Sequence, residues 1–108
     1  MIRQPIPGKI LDAKFVEEKL GDGFLGPSDY RFFAHIQIVT SEVELWEKSL
    51  GNSLADTNYY NYPKEKQDWW FSKLDFQQVQ KYPPNLFNCI HGWVVVRNAT
   101  VYVYTYTQ

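Results

Sequence analysis

The sequence predicts an α+β fold, in which a small antiparallel β-sheet with a C-terminal β-hairpin carries two or three short helices on one face. The hairpin is indicated by Gly92 to Gln108, where Thr100 to Thr107 places tyrosines on one face and valines or threonine on the other. Tyr30 to Val39 alternates in the same way, and helix signals lie between these segments. With 108 residues, 44% of them hydrophobic, residues 1–108 can form one domain with its own core.

The N-terminal part contains one segment that fits two structures. Residues 1–8 form an irregular lead-in, because their two prolines lack amide donors. In Lys9 to Leu20, the positions of Leu11, Ala13 and Phe15 alternate as in a strand. The apolar residues of this segment also fit helical spacing that ends at the following glycine, and we predict a helix here. The glycine-rich residues 21–29 then form a turn rather than a phosphate-binding loop, because no Lys-Ser/Thr pair follows them.

The first clear strand is Tyr30 to Val39. Its alternation matches that of the two hairpin strands, which predicts one common core face for all three. The residues assigned to that face are Phe32, Ala34, Ile36, Ile38, Val94, Val96, Val101 and Val103. The hairpin turn falls at Asn98-Ala99, a less favourable pair than Asn-Gly, so a slightly longer or bulged loop is also compatible with the sequence.

Two helices are predicted between the strands. Ser41 and Glu44 have capping-box spacing, so the first helix should run from Glu42 to Leu50 and stop at a glycine. It should bury Val43, Trp46 and Leu50. The second helix should lie within Lys64 to Lys81, with Ser72 as a start and Pro83-Pro84 as a stop. Its buried stripe should be Phe76, Val79 and Tyr82, and residues 52–62 should be an ordered, tyrosine-rich loop.

Charge and cysteine content restrict the class of function. A formal net charge of -1 with no basic run is not typical of a nucleic-acid-binding surface, and no segment has the length and hydrophobicity of a membrane span. Cys89 is the only cysteine, which excludes an intramolecular disulfide and fits the reducing cytoplasm. A chain whose secretion signal had been removed before Met1 would have the same sequence. The acceptor pattern Asn98-Ala99-Thr100 is read as turn chemistry rather than glycosylation.

The residues that could carry chemistry are few. Cys89, His91 and the distant His35 are too few to make a zinc site without a carboxylate, so no metal and no cofactor is expected. No nucleophile elbow, phosphate loop or dinucleotide motif is present, so a binding protein is favoured over an enzyme. The enzymatic alternative is a small hydrolase or transferase in which His35 or His91 converges with Asp29 in a pocket.

Aromatic residues supply the remaining candidate site. The three adjacent rings at Trp69, Trp70 and Phe71 cannot all face one core on a helix or a strand, so at least one should be partly exposed or buried by a loop. The tyrosine row of the last strand adds further rings. The predicted binding residues are Trp69, Trp70, Trp93, Tyr102, Tyr104 and Tyr106. Such a surface is typical of an interface with a protein partner, as in an inhibitor or immunity-type protein. Two alternatives remain: a carbohydrate-binding platform that uses Asn58 and Asn61, or rings that simply cover the sheet.

Overall fold

The computed structural model describes residues 8–20, 29–51, 60–84 and 91–106. They form an antiparallel sheet of four strands, in the order β1-β2-β4-β3. The strands are β1 (Ile10–Leu20), β2 (Asp29–Ile38), β3 (Gly92–Arg97) and β4 (Thr100–Tyr106). A 3-10 turn (Thr40–Glu42) leads into helix α1 (Val43–Leu50), and a short helix α2 (Lys73–Gln77) precedes β3. The α+β class and the antiparallel sheet are confirmed, and no helix in the described ranges has the length and hydrophobicity to span a membrane.

The prediction of a helix over Lys9 to Leu20 is wrong. This segment is β1, which pairs with β2 from Ile10 opposite Ile38 to Leu20 opposite Asp29. The segment forms a strand because pairing with β2 satisfies its backbone hydrogen bonds, whereas an isolated helix of this length is only marginally stable. A bulge between Ile10 and Asp12 shifts the register.

One face of the sheet carries the predicted common core, which is confirmed. Six of its eight residues are buried together, and Phe32 and Val96 pack against them partly buried. Helix α1 covers this face with the buried side chains of Trp46 and Leu50, and Val43 packs at its margin. We call this side of the sheet the aliphatic face.

The start of α1 differs from the predicted capping box. Ser41 lies inside the 3-10 turn, so the N-cap of α1 is Glu42 and no side chain caps the helix. The Glu42 carboxylate instead accepts a hydrogen bond from the backbone N–H of Lys9, at 3.2 Å. The helix ends at Gly51 as predicted, with a φ of 84° that favours glycine.

The second helix is shorter than predicted, and it lies on the other face of the sheet. Ser72 is its N-cap and accepts a hydrogen bond from the Asp75 N–H at 3.1 Å, as its position predicted. The helix covers only Lys73–Gln77, and Tyr82 leaves the predicted stripe to form a β-bridge with Val94. The prediction that the helices lie on a single face is therefore wrong, because Trp46 of α1 and Phe76 of α2 pack on opposite faces. After α2 the chain is extended and pairs with β3 at Tyr82.

The two hairpin strands are joined by Asn98 and Ala99, which both have positive φ angles of 51° and 55°. These angles are those of a two-residue primed turn. The alternative of a loop with more residues, or of a bulge at the turn, is therefore excluded. At the base of the hairpin, Gly92 has a φ of 123°, and a Cβ there would lie 1.9 Å from the carbonyl oxygen of Tyr104. Only glycine fits at this position. The predictions for residues 1–7, 21–28 and 52–59, and for Cys89, lie outside the described residues.

Candidate functional site

The six predicted binding residues lie on the face opposite the aliphatic face, which we call the aromatic face. Three of them are buried, with exposed fractions of 1% for Trp93, 8% for Tyr102 and 7% for Tyr104. Tyr106, Trp69 and Trp70 are half-buried. The tyrosine row is therefore covered by other parts of the chain, and a binding role for these residues stays a prediction.

Residues 60–84, which we call the covering segment, cross the aromatic face and end beside β3, where Tyr82 packs against the aliphatic cluster. Trp70 is central to this contact: its ring centroid lies 5.2 Å from that of Phe33, 5.6 Å from that of Tyr102 and 5.9 Å from that of Trp93. Phe71 approaches Tyr102 more closely, with 4.3 Å between centroids. Most of these ring pairs have edge or tilted geometry, which is favourable between aromatic quadrupoles.

A charged cluster fixes the covering segment to β1 and β2. The backbone N–H of Lys64 donates a hydrogen bond to one carboxylate oxygen of Glu18, at 2.5 Å. The other oxygen of Glu18 accepts from the Arg31 guanidinium, at 2.6 Å. Both Glu18 and Arg31 have side chains that are less than a quarter exposed, so water screens this ion pair less than a surface pair.

The far end of the covering segment is fixed to β3. The N–H and C=O groups of Tyr82 exchange hydrogen bonds with those of Val94, each at 2.8 Å. Three residues further along β3, the Arg97 guanidinium lies 3.3 Å from the Asp75 carboxylate of α2. The covering segment thus spans the sheet and is held at both sides.

Hydrogen bonds within the covering segment hold its first half in a defined shape. The indole N–H of Trp70 donates to the carbonyl oxygen of Asn61 at 2.9 Å. The hydroxyl of Tyr60 donates to the carbonyl oxygen of Phe71. Burial raises the pKa of Tyr60 above its ordinary value, and the neighbouring Tyr62 acts in the same direction. The Tyr60 hydroxyl therefore remains a protonated donor at neutral pH.

A groove of about 430 Å³ opens on the outer side of this half, and we call it the outer groove. Its lining is aromatic with a polar margin and consists of Tyr60, Tyr62, Pro63, Lys64, Lys66, Gln67, Trp70, Phe71 and Ser72. Tyr62 is 61% exposed and stacks on Tyr60, with 5.8 Å between centroids and 26° between ring planes. The volume falls in the range of roughly 300 to 1,000 Å³ that is typical of ligand sites.

The two histidines do not meet in the fold. The ring of His35 lies 5.2 Å from that of Tyr102, whereas His91 stacks on Tyr106 at 5.1 Å. Tyr102 and Tyr106 are four residues apart on one strand, which places the histidines about 13 Å apart along the sheet. Burial lowers the pKa of His35 below its ordinary value, and the positive charge of Lys14 acts in the same direction. Among the described residues, no three His, Cys, Asp or Glu side chains gather as metal ligands.

Sequence reasoning noted the tyrosines at the start of the covering segment but did not identify the outer groove. Tyr62 and the two lysines at its margin are close in the sequence, and the groove forms where they meet Trp70 and Phe71, which pack on the sheet. The available signal was the density of rings near Pro63, which is unusual for a linker. No protein-family model, curated protein or solved structure gives a significant match to this chain.

Proposed function

We propose that this protein is a small binding domain that recognises a protein partner through the outer groove. The observation that carries this proposal is the pairing of an exposed ring, Tyr62, with a largely fixed aromatic floor made by Tyr60 and Trp70. An inhibitor or immunity-type protein acting in the cytoplasm is one form of this function, and it rests on size, acidity and aromatic content.

The composition of the groove supports a protein partner. Binding hot spots in protein interfaces are enriched in tyrosine and tryptophan, and they are surrounded by a polar rim that excludes water. Here Tyr62 and Trp70 supply the rings, while Lys64, Lys66 and Gln67 supply the margin. A carbohydrate platform has less support, because Tyr62 alone presents a largely exposed ring among the described residues of this lining.

The charge of the groove indicates what its partner presents. Lys64 and Lys66 are both exposed, and none of the described residues of the lining is Asp or Glu. A partner segment with an apolar or aromatic side chain next to Asp or Glu would therefore match both the floor and the margin. Exposed charge pairs of this kind are screened by salt, so the affinity should fall as ionic strength rises.

The fixed backbone also favours binding. The hydrogen bonds of Tyr60 and Trp70, together with the Glu18–Lys64 contact, already order the groove before a partner arrives. A preformed site does not lose further backbone entropy on binding, so more of the contact energy contributes to affinity.

The test is selection from a displayed library of random peptides on the wild-type protein. Enriched peptides should combine an aromatic or large apolar residue with an adjacent acidic residue. Tyr62→Ala should weaken their binding by about 2 kcal/mol, roughly 30-fold, if Tyr62 is a hot spot. Lys66→Glu should weaken it too, and the loss should shrink at high salt.

The matched control is Leu74→Ala, which removes a side chain that is 65% exposed and lies outside the groove lining. Binding by this variant should equal that of the wild type. Peptides that bind equally well to the Tyr62→Ala variant would contradict the proposal. A glycan array in which Tyr62-dependent binding appears without any such peptide would replace the protein partner with a carbohydrate.

A further inference from the structure

Strand β1 forms one edge of the sheet, and its outer side is unpaired by any other strand in the described ranges. The edge is 11 residues long. The opposite edge differs, because the bridge between Tyr82 and Val94 occupies part of β3. A long free edge presents a row of backbone donors and acceptors that another strand can use.

This edge also exposes large apolar side chains. Phe15 is 66% exposed although its ring contacts that of Phe32 at 5.7 Å, and Leu11 is 51% exposed. Ala13, between them, is exposed as well. Exposed apolar residues grouped on a strand edge are typical of an interaction surface.

The charges of β1 match those of a second copy in one symmetric register. Two antiparallel β1 strands related by a two-fold axis keep each face continuous, so paired residues come from the same face. With Ala13 on the axis, Asp12 of each copy lies opposite Lys14 of the other. Both residues lie on the aromatic face, since their partners on β2 are Gln37 and His35. The same register brings Leu11, which lies in the bulge, close to Phe15 of the other copy.

Neighbouring symmetric registers are less favourable. A register centred on Phe15 places Asp12 opposite Glu18, and directly opposed like charges destabilise a sheet. A register centred on Val16 places Phe15 opposite Glu17, so the apolar ring would face a carboxylate. The Val16 register also places Lys14 opposite Glu18, but both oxygens of the Glu18 carboxylate already accept hydrogen bonds, from Arg31 and from Lys64. Of these three registers, only the Ala13 register brings together Leu11 and Phe15, the two most exposed large apolar residues of β1.

We propose that β1 pairs with β1 of a second copy, joining two sheets into one antiparallel sheet of eight strands. Edge strands commonly carry a lysine and a bulge that oppose pairing. Here Lys14 meets Asp12 of the second copy, so its charge attracts. The bulge between Ile10 and Asp12 ends the regular ladder. The interface is therefore short, and the dimer forms only at high protein concentration.

Sedimentation equilibrium over a concentration series tests this dimer. The mass of the wild type should rise from 12.8 kDa toward twice that value. Asp12→Lys and Lys14→Asp, made singly, each convert both charge pairs from attraction to repulsion. Each should raise the dimer dissociation constant by up to about 30-fold, since each of the two opposed pairs contributes up to about 1 kcal/mol. The double variant restores opposite charges and should recover the wild-type constant.

The matched control is Lys48→Asp, the same charge change at an exposed position of α1. It should leave the dissociation constant unchanged, and thermal unfolding should show that all variants remain folded. A wild type that stays at 12.8 kDa at the highest concentration overturns the proposal. So does a double variant that fails to recover, because the effect would then not come from cross-copy pairs.

Disulfide cross-linking tests the register itself. In a background with Cys89→Ser, Ala13→Cys places two thiols on the two-fold axis. Opposed Cα atoms in an antiparallel pair lie about 4.5 to 5.5 Å apart, which a disulfide can span. Oxidation should give a covalent dimer of Ala13→Cys and none of Val16→Cys. The reverse result would overturn the Ala13 register.

Discussion

Trp70 is expected to hold the covering segment on the sheet, and Trp70→Ala tests this role. Its ring contacts residues of β2, β3 and β4, namely Phe33, Trp93 and Tyr102. Its indole N–H also donates a hydrogen bond to the backbone carbonyl oxygen of Asn61, within the first half of the covering segment. The substitution removes both the ring contacts and the hydrogen bond. The covering segment should then separate from the aromatic face more readily.

The expected loss of stability follows from these contacts. Replacing a buried tryptophan by alanine costs about 3 to 5 kcal/mol, and Trp70 is only half-buried, so we expect about 3 kcal/mol. For a domain near 100 residues, each kcal/mol corresponds to about 4 to 8 °C in Tm. The Tm should therefore fall by roughly 12 to 24 °C.

Far-UV circular dichroism is the suitable assay, because four tryptophans complicate fluorescence. Trp70→Phe serves as the matched comparison, since it keeps a ring in place and loses the N–H donor. Loss of that single hydrogen bond should cost about 0.5 to 1.5 kcal/mol. If Trp70→Ala lowered stability by no more than Trp70→Phe, the ring contacts would contribute little, and the reasoning about the covering segment would be refuted.

Three further predictions concern stability and its dependence on pH. Ile36→Ala should cost about 2 to 5 kcal/mol in chemical denaturation because Ile36 is buried in the aliphatic core, and an unchanged midpoint would contradict that placement. Ser72→Ala should cost about 0.5 to 2 kcal/mol through loss of the observed cap, whereas Ser41→Ala should stay within about 0.5 kcal/mol; equal losses would refute the cap assignment. The folded-state pKa of His35 lies below 6.5, so as pH falls through 6.5 the unfolded chain takes up the proton first and stability decreases. His35→Asn should reduce this pH dependence in denaturant titrations at several pH values, and an unchanged slope would contradict it.

The alternation of residues determined the aliphatic face from the sequence alone. Period-two patterns in β2, β3 and β4 identified its members, because a strand sends successive side chains to opposite faces whatever its neighbours are. Local signals also located the end of α1 at Gly51 and the start of α2 at Ser72. Each of these depends on backbone chemistry within a few residues.

The tertiary structure decided the points that depend on distant partners. Lys9 to Leu20 satisfies two periods, and only pairing with β2 selected the strand. Ser41 is of a residue type that favours the N-cap, but it lies inside the 3-10 turn, so Glu42 occupies the N-cap position of α1. Helix α2 ends at Gln77, and Tyr82, which was expected on its buried stripe, pairs instead with Val94 on β3.

The candidate site also combines features that the sequence determined with features that only the tertiary structure decided. The sequence determined that many rings are present and that the three adjacent rings at Trp69, Trp70 and Phe71 cannot all face one core from a helix or a strand. All three pack on the aromatic cluster because they lie in an irregular segment. It did not determine which rings are covered. Their burial requires residues 60–84 to pack across a sheet formed by two strands that precede this segment in the chain and two that follow it. That long-range contact buried Tyr102 and Tyr104, left Tyr62 exposed and formed the outer groove. Periodicity assigns a side chain to a face, but only the packing of distant segments decides whether that face meets solvent.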